Sequence, residues 1–289
     1  MTQLTQTSLD SLQLCFYGAG SMAEAIVRGI INKELVQASR VSMLNRQNAD
    51  RLTELNDRYG IQTILQGKEN EAYLREADIL FLAMKPKDAA EAIASIKHLI
   101  SPNQLVISVI AGLSIQAIEK LLGDQVAVVR AMPNTSSTIG LGATGISYSD
   151  KVSKQQQLLT EAIFNSVGIS TVVDESLQQA VTGVSGSGPA YVYYFMESMI
   201  ESAISLGFSE EAAKELVVQT VLGAAEMVRH TGEEPAELRR KVTSPNGTTQ
   251  AALELMAEND FAGTIQKGVH RSAERAGELG AAIERSISE

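Results

Sequence analysis

Two stretches of the chain hold residue types whose spacing could do chemistry. The first is Val242-Thr243-Ser244-Pro245-Asn246-Gly247-Thr248-Thr249-Gln250. Pro245 fixes φ, Asn246 and Gly247 tolerate left-handed geometry, and the Ala/Leu/Glu/Met run that follows favours helix. Thr248 and Thr249 then fall in a first helical turn, where backbone N–H groups lack intrahelical partners. Such a terminus attracts anions, and this one adds two hydroxyls. The same threonines also read as a plain N-cap, and the loop by itself does not choose.

The second stretch is Gly18-Ala19-Gly20-Ser21-Met22-Ala23. It is a G-x-G-x-x-A fingerprint placed between an apolar run, 12–17, and an apolar helical run, 24–31. Gly18 allows a tight turn, Gly20 lets a pyrophosphate approach the backbone, and Ala23 keeps the helix close to the strand. After the next strand comes Asn45-Arg46-Gln47. A site preferring NAD usually carries Asp or Glu there for the ribose 2′-OH, whereas an arginine can pair with a 2′-phosphate. NADPH is the expected cofactor, with NADH as the alternative.

Little else offers chemistry. Cys15 is the single cysteine, so an intramolecular disulfide or a cysteine-based zinc site is excluded. It falls in a predicted buried strand and reads as a small hydrophobe. His98, His230 and His270 belong to no motif, so neither a metal site nor a histidine acid/base is expected. A net charge of −10 argues against nucleic acid or an anionic membrane as partner. The apolar runs are too short and too broken by charge to span a bilayer. No secretory signal is recognisable, and a reducing cytoplasm is the expected compartment. The first twelve residues read as a polar, loosely ordered lead-in.

The elements that must position these residues follow from the hydrophobic pattern. At 289 residues, 44% of them hydrophobic, the chain is long enough for two globular domains. Strands are predicted at 12–17, 40–44, 61–65, 78–83, 105–110, 126–132, 143–148 and 170–173, with helices between them. This alternation predicts a doubly wound, mostly parallel sheet of Rossmann type over residues 1–175. The run 78–83 is continuously apolar, as in a parallel strand buried on both faces. It stops at Met84-Lys85-Pro86-Lys87, and ligands dock at such strand ends. From residue 176 no strand pattern remains. A turn at 185–189 with Pro189 opening a helix is followed by helices at 189–206, 209–228, 235–242 and 261–287, besides the one after the threonine loop. The two long central helices are apolar nearly all round, which calls for a second subunit. Residues 176–289 are therefore expected to form an all-α dimerisation and substrate-binding domain.

Five stretches together resemble the pyrroline-5-carboxylate reductase family. They are Phe16 to Met22, Phe81 to Pro86, Ala131 to Thr135, Val184 to Tyr191 with its Ser-Gly-Ser-Gly-Pro-Ala core, and Val242 to Leu253. The resemblance runs from about Leu14 to Arg285. It implies reduction of the C=N bond of 1-pyrroline-5-carboxylate to proline, the last step of proline biosynthesis, by an oxidoreductase that forms homodimers, often assembled into decamers. Carried over position by position, Gly18, Ala19, Gly20, Ser21 and Met22 would hold the pyrophosphate, and Asn45 and Arg46 the adenosine phosphate. Asn70, Ala83, Met84, Lys85 and Pro86 would line the cofactor groove, with Ile110 and Ala111 near the nicotinamide. The substrate loop would use Ser244, Gly247, Thr248 and Thr249: backbone N–H groups for the carboxylate, and the Thr249 hydroxyl for the ring nitrogen. The imine is readily protonated, so such an enzyme needs little acid/base machinery.

Two positions depart from the family pattern. Asn246 stands where many members have glycine, and Val109-Ile110 replaces smaller residues. Two rivals are disfavoured. The β-hydroxyacid dehydrogenases use a lysine about four residues after a glycine-rich turn at the domain junction. Counting from Gly188 that position is Val192, and no lysine lies between Lys154 and Lys214. A dinucleotide-sensing regulatory paralogue would keep the fingerprint and lose the threonine loop, which is intact.

Overall fold

The computed structural model describes residues 9–67 and 70–288. Among these residues there are eight strands: β1 Leu14–Tyr17, β2 Val41–Asn45, β3 Gln62–Leu65, β4 Ile79–Leu82, β5 Leu105–Ser108, β6 Ala127–Met132, β7 Gly142–Tyr148 and β8 Gly168–Val172. Between them lie α1 Ser21–Asn32, α2 Ala49–Tyr59, α3 Glu71–Glu76, α4 Ala89–Ile96, α5 Ile115–Leu122 and α6 Lys154–Asn165. The strands form one sheet in the order β3-β2-β1-β4-β5-β6-β7-β8. Every pairing is parallel except β6 with β7. The chain order reverses direction between β1 and β4, which makes their carboxyl ends the topological switch point.

The central strands are buried on both faces, and their side chains divide with period two. Phe16, Met43, Ile79, Phe81, Ile107 and Val129 point to one face, where Ile26 and Ile30 of α1, Leu55 of α2 and Phe164 of α6 cover them. Cys15, Leu44, Leu80, Leu82, Val106 and Val128 point to the other, under Leu74 of α3, Ile93 of α4 and Ile118 of α5. Phe16 and Phe81 stack with ring centroids 4.2 Å apart, joining β1 to β4 at the centre of the sheet. Cys15 is fully buried and its thiol is pushed up to about 12 by burial. It is a packing residue, as its strand position predicts.

Three expectations are corrected. The first eight residues of the lead-in lie outside the described residues, but its end is docked. Leu9 is buried against the α1 side of the sheet, and its carbonyl accepts the Leu12 N–H at 3.0 Å. The segment before Pro189 is helical rather than a simple turn. Short α7, Gln178–Val181, runs into a wide π-type turn, Thr182–Gly186. The Ser185 carbonyl, which gets no helical N–H from Pro189 four residues on, accepts the Asn134 side-chain amide at 3.0 Å. Finally, Pro189 takes the second helical position of α8, Gly188–Ser205, not the first.

The remaining helices are α9 Glu210–Thr231, α10 Pro235–Lys241, α11 Thr248–Glu258 and α12 Phe261–Ser288. Two compact units result. One takes the chain through Ser187 together with the stretch from Arg271, and the other is Gly188–His270. The strand pattern ends near residue 175, but packing carries the first unit on through Ser187. Glu175 helps to tie the junction down. Its Oε1 accepts the buried Arg130 guanidinium at 3.1 Å and the Ile115 N–H at 2.7 Å. In the second unit α8 packs along α9, and Phe195 meets Phe261 with centroids 6.4 Å apart.

Candidate active site

The glycine turn sits at the switch point. The Gly18 N–H donates to the Leu44 carbonyl at 3.1 Å, and the Ala83 N–H donates to the Tyr17 carbonyl at 3.1 Å. Gly18 has φ +127°, and a Cβ there would lie 2.4 Å from the Ala83 carbonyl oxygen. Both backbone and space therefore demand glycine. Gly20 differs. It is the N-cap of α1 with φ −77°, no side chain caps that helix, and a Cβ built on it meets nothing within 4 Å. The fold leaves open space over an uncapped helix N-terminus, as a pyrophosphate pressed against the backbone requires. Ala19 is buried, Ser21 exposed and Met22 half-buried.

The other cofactor candidates gather along the same sheet edge. Asn45 ends β2, and its Oδ1 accepts from the backbone N–H of Gln47 at 3.1 Å and of Asn48 at 3.0 Å. That side chain organises the turn which presents the exposed Arg46. Asn70 is nearly buried at the start of α3. Ala83 and Met84 follow β4 half-buried, and Lys85 and Pro86 are exposed. Beyond β5 Ile110 is buried beside Leu113 and Ile115, and Ala111 is half-buried. The half-buried Val109 packs against the opposite core. The larger residues at 109 and 110 thus serve the two cores.

Sequence reasoning missed the support under the turn. Glu24, in the first turn of α1, bonds Arg51 Nη2, accepts Arg58 Nη1 at 2.7 Å and accepts the Tyr59 hydroxyl at 2.9 Å. Arg51 also donates to the Ala19 carbonyl at 3.4 Å and to Glu54 at 2.8 Å. Burial raises the Glu24 pKa, but the hydrogen bonds and charges of Arg51, Tyr59 and Arg58 outweigh it, and the carboxyl titrates below its ordinary value. Local pattern offers no signal for this pairing, because Glu24 and Arg51 lie on separate helices, 27 residues apart.

The threonine loop belongs to the second unit. Gly247, not a threonine, is the N-cap of α11, and no side chain caps it. A Cβ on Gly247 would lie 3.0 Å from the Ser244 carbonyl oxygen, so this glycine is chosen for space. Asn246 takes the left-handed region at φ 58°, which asparagine tolerates and which accounts for it in a position often held by glycine. Gln250, at the third helical position, accepts the Asn246 N–H at 2.8 Å. That amide belongs to the residue before the N-cap, so the bond holds the turn without forming a capping box, and no serine or threonine side chain caps the helix. The exposed Thr248 and half-buried Thr249 therefore present N–H groups at an open helix end. Their hydroxyls have no hydrogen-bond partner among the described residues. The N-cap reading of the threonines is corrected. Ser244 is exposed, and its carbonyl accepts the Gly247 N–H at 3.0 Å.

A doubly wound sheet with a glycine turn and an open helix end at its switch point defines the class of dinucleotide-dependent oxidoreductases. Comparison with known proteins narrows this. Residues 13–112 match a family model described as NADP oxidoreductase coenzyme F420-dependent, and residues 175–279 match one described as pyrroline-5-carboxylate reductase dimerisation. Pyrroline-5-carboxylate reductase 2 of Bacillus subtilis is 41% identical over 275 residues, covering 93% of this chain and 98% of that protein. The solved pyrroline-5-carboxylate reductase of Coxiella burnetii is 35% identical with a TM-score of 0.86, covering 93% of this chain and 98% of that one. That of Plasmodium falciparum, solved with NADP bound, is 30% identical with a TM-score of 0.85, covering 94% of this chain and all of that one. The chain belongs to the pyrroline-5-carboxylate reductase family.

Proposed function

We infer that the chain carries out the reaction for which its family is named, the reduction of 1-pyrroline-5-carboxylate to proline, with NADPH as preferred reductant. The observation that carries this reading is the open N-terminus of α11, where, among the described residues, a glycine N-cap leaves the N–H groups of Thr248 and Thr249 free beside two hydroxyls without partners. A carboxylate is the ligand such a terminus selects, through charge-assisted hydrogen bonds worth roughly 1.5–3 kcal/mol each.

A reduced nicotinamide, when bound, supplies a hydride to the C=N carbon, and the ring nitrogen of the protonated imine becomes the amine of proline. The residues present fit such a group: Gly18 closes the turn, Gly20 leaves the approach open, and α1 offers its N–H groups to the pyrophosphate. Arg46 is proposed to take the 2′-phosphate, with Asn45 fixing its turn. Asn70 and the Ala83 to Pro86 segment would line the cofactor groove, and Ile110 and Ala111 would lie near the nicotinamide. Ser244 and Gly247 shape the substrate loop, whose amides orient the ring by its carboxylate. The Thr249 hydroxyl accepts from the iminium N–H and donates to the amine formed. The chain's work is positioning, and holding reactants in geometry supplies up to roughly 7–11 kcal/mol in favourable cases.

Of the predicted 176–289 domain, the second unit, Gly188–His270, is proposed to serve for dimerisation and substrate binding in a homodimer, which can assemble further to a decamer, in the cytoplasm. Among the described residues no helix is long and apolar enough to cross a membrane, and no cluster of ligating side chains could hold a metal ion.

Oxidation of NADPH followed by absorbance with pyrroline-5-carboxylate tests the reading. Turnover is expected, and Thr249→Ala should lower kcat/KM about 10- to 100-fold, at the lower end of what a proton-handling group contributes. No turnover with either nicotinamide cofactor overturns the function. Wild-type kinetics in the variant remove Thr249 from the chemistry.

A further inference from the structure

The loop after β5 is gripped by the far end of the chain. Gly112 has φ +82°, and a Cβ on it would lie 3.2 Å from the Gly280 backbone nitrogen and 3.3 Å from its Cα. A Cβ on Gly280 would in turn lie 2.6 Å from the Gly112 carbonyl oxygen. Backbone touches backbone here, with no room for a side chain on either partner. One helical turn further on, Glu284 accepts the Ser114 hydroxyl at 2.7 Å, while the same Ser114 oxygen accepts the Ala117 N–H at 3.1 Å and caps α5. Ile283 and Ile287 pack against the core cluster that contains Ile110, Leu113 and Ile115. Glycine within a helix is disfavoured relative to alanine, so Gly280 requires a reason, and this contact supplies one.

We propose that the last turns of α12 form a latch, built on Gly280 and Glu284, that sets the position of loop 110–114 and through it the reactive end of the cofactor. The proposal rests on the functional reading above, in which Ile110 and Ala111 lie near the nicotinamide. Gly280 and Glu284 are positioning residues: they touch the loop, not the reactants. The adenosine end of the cofactor is held elsewhere, at α1 and Arg46. Disturbing the latch therefore lowers kcat while sparing the affinity for NADPH.

The helix carries its own control. A Cβ on Gly277 would meet only the Gln179 side chain, at an ordinary 3.8 Å. Three variants of the full chain test the latch: Gly280→Ala, Gly277→Ala and Glu284→Ala, with Glu284→Gln as rescue, since an amide oxygen still accepts from Ser114. Gly280→Ala and Glu284→Ala should lower kcat about tenfold with the KM for NADPH within twofold, and raise the primary isotope effect from 4-deuterated NADPH. Without any cofactor, both should speed amide hydrogen exchange in a peptide spanning 109–115. Gly277→Ala and Glu284→Gln should match the unaltered protein in every measure. Wild-type kcat and unchanged exchange in both Gly280→Ala and Glu284→Ala overturn the latch. So does a rise in the KM for NADPH that matches the fall in kcat, the signature of general damage. Lack of turnover in the unaltered protein overturns the functional reading and the latch with it.

Discussion

Arg46, in the loop after β2, and Arg51, in the first turn of α2, are five residues apart, yet their surroundings assign them different work. Arg51 is committed: Glu24, Glu54 and the Ala19 carbonyl take its guanidinium. Arg46 is exposed and makes no hydrogen bond or ion pair among the described residues. Its turn is nevertheless fixed, because the Asn45 side chain accepts the two backbone N–H groups that follow. A free charge on an ordered turn is suited to a phosphate. A charge-assisted bond of about 1.5–3 kcal/mol corresponds to roughly ten- to hundredfold in affinity. Arg46→Glu should therefore raise the KM for NADPH by about that factor and leave the KM for NADH within about threefold. Parallel steady-state measurements decide the matter. An equal rise for both cofactors would mean that Arg46 is not the partner of the 2′-phosphate.

At the scale of elements, the joint between α1 and α2 makes the fingerprint turn rigid. Glu24 is the hub, its side chain only 15% exposed, with Arg51, Arg58 and Tyr59 around it. Its folded pKa lies below the ordinary 4.5. The sign follows: the network's contribution to stability is complete above the unfolded pKa and is lost as pH falls through the lower, folded value. Glu24→Gln should lower stability by roughly 1–3 kcal/mol near pH 7, the usual cost of breaking a partly buried charged bond. In denaturant titrations the gap between the two proteins should narrow as pH falls below the ordinary carboxylate value and close once pH has passed the lower, folded value of Glu24, where the wild-type carboxyl is itself protonated. A gap that persists unchanged into acid would place the effect in packing rather than charge. This joint also marks where the sequence stops being legible. The central strands β1, β4 and β5 are readable because burial on both faces makes each a short continuous apolar run, and the glycine turn because Gly18 has no substitute at its φ and spacing. Glu24 and Arg51 look like solvated charges in the sequence, because their pairing depends on two helices meeting across a sheet edge. The same holds for Asn134, which reaches the Ser185 carbonyl, and for Gly280, whose reason lies at Gly112. Local pattern reports what a residue does within its own element; it is silent on which element it meets.

For the whole molecule, the second unit poses the question of where its apolar surface goes. Among its described residues only Ala213 and Val217 are buried hydrophobics. Tyr194 is 73% exposed, Leu255 62%, Leu222 48% and Val218 44%. A layer of helices with two buried side chains lacks the core that normally offsets the conformational entropy of ordering it. Apolar faces of this extent mark an interface, and these residues fall within the match to a reductase dimerisation family model. The cover proposed is a second copy of the chain, with both second units folding as one core. Light scattering should then give a mass near twice the 31.0 kDa of one chain, or ten times it for the decamer. Val218 and Leu222 lie one turn apart on α9, so Val218→Glu with Leu222→Glu places two charges on one apolar face. Burying an unpaired charge costs several kcal/mol, so the double variant should dissociate. Turnover should fall with it, because the helices carrying the substrate loop lose their common core. The first unit has its own two-sided core and should keep its fold, read as retained binding of NADPH by fluorescence. A monomeric mass for the unaltered protein would refute this assembly, and a double variant of unchanged mass would move the interface off this face of α9.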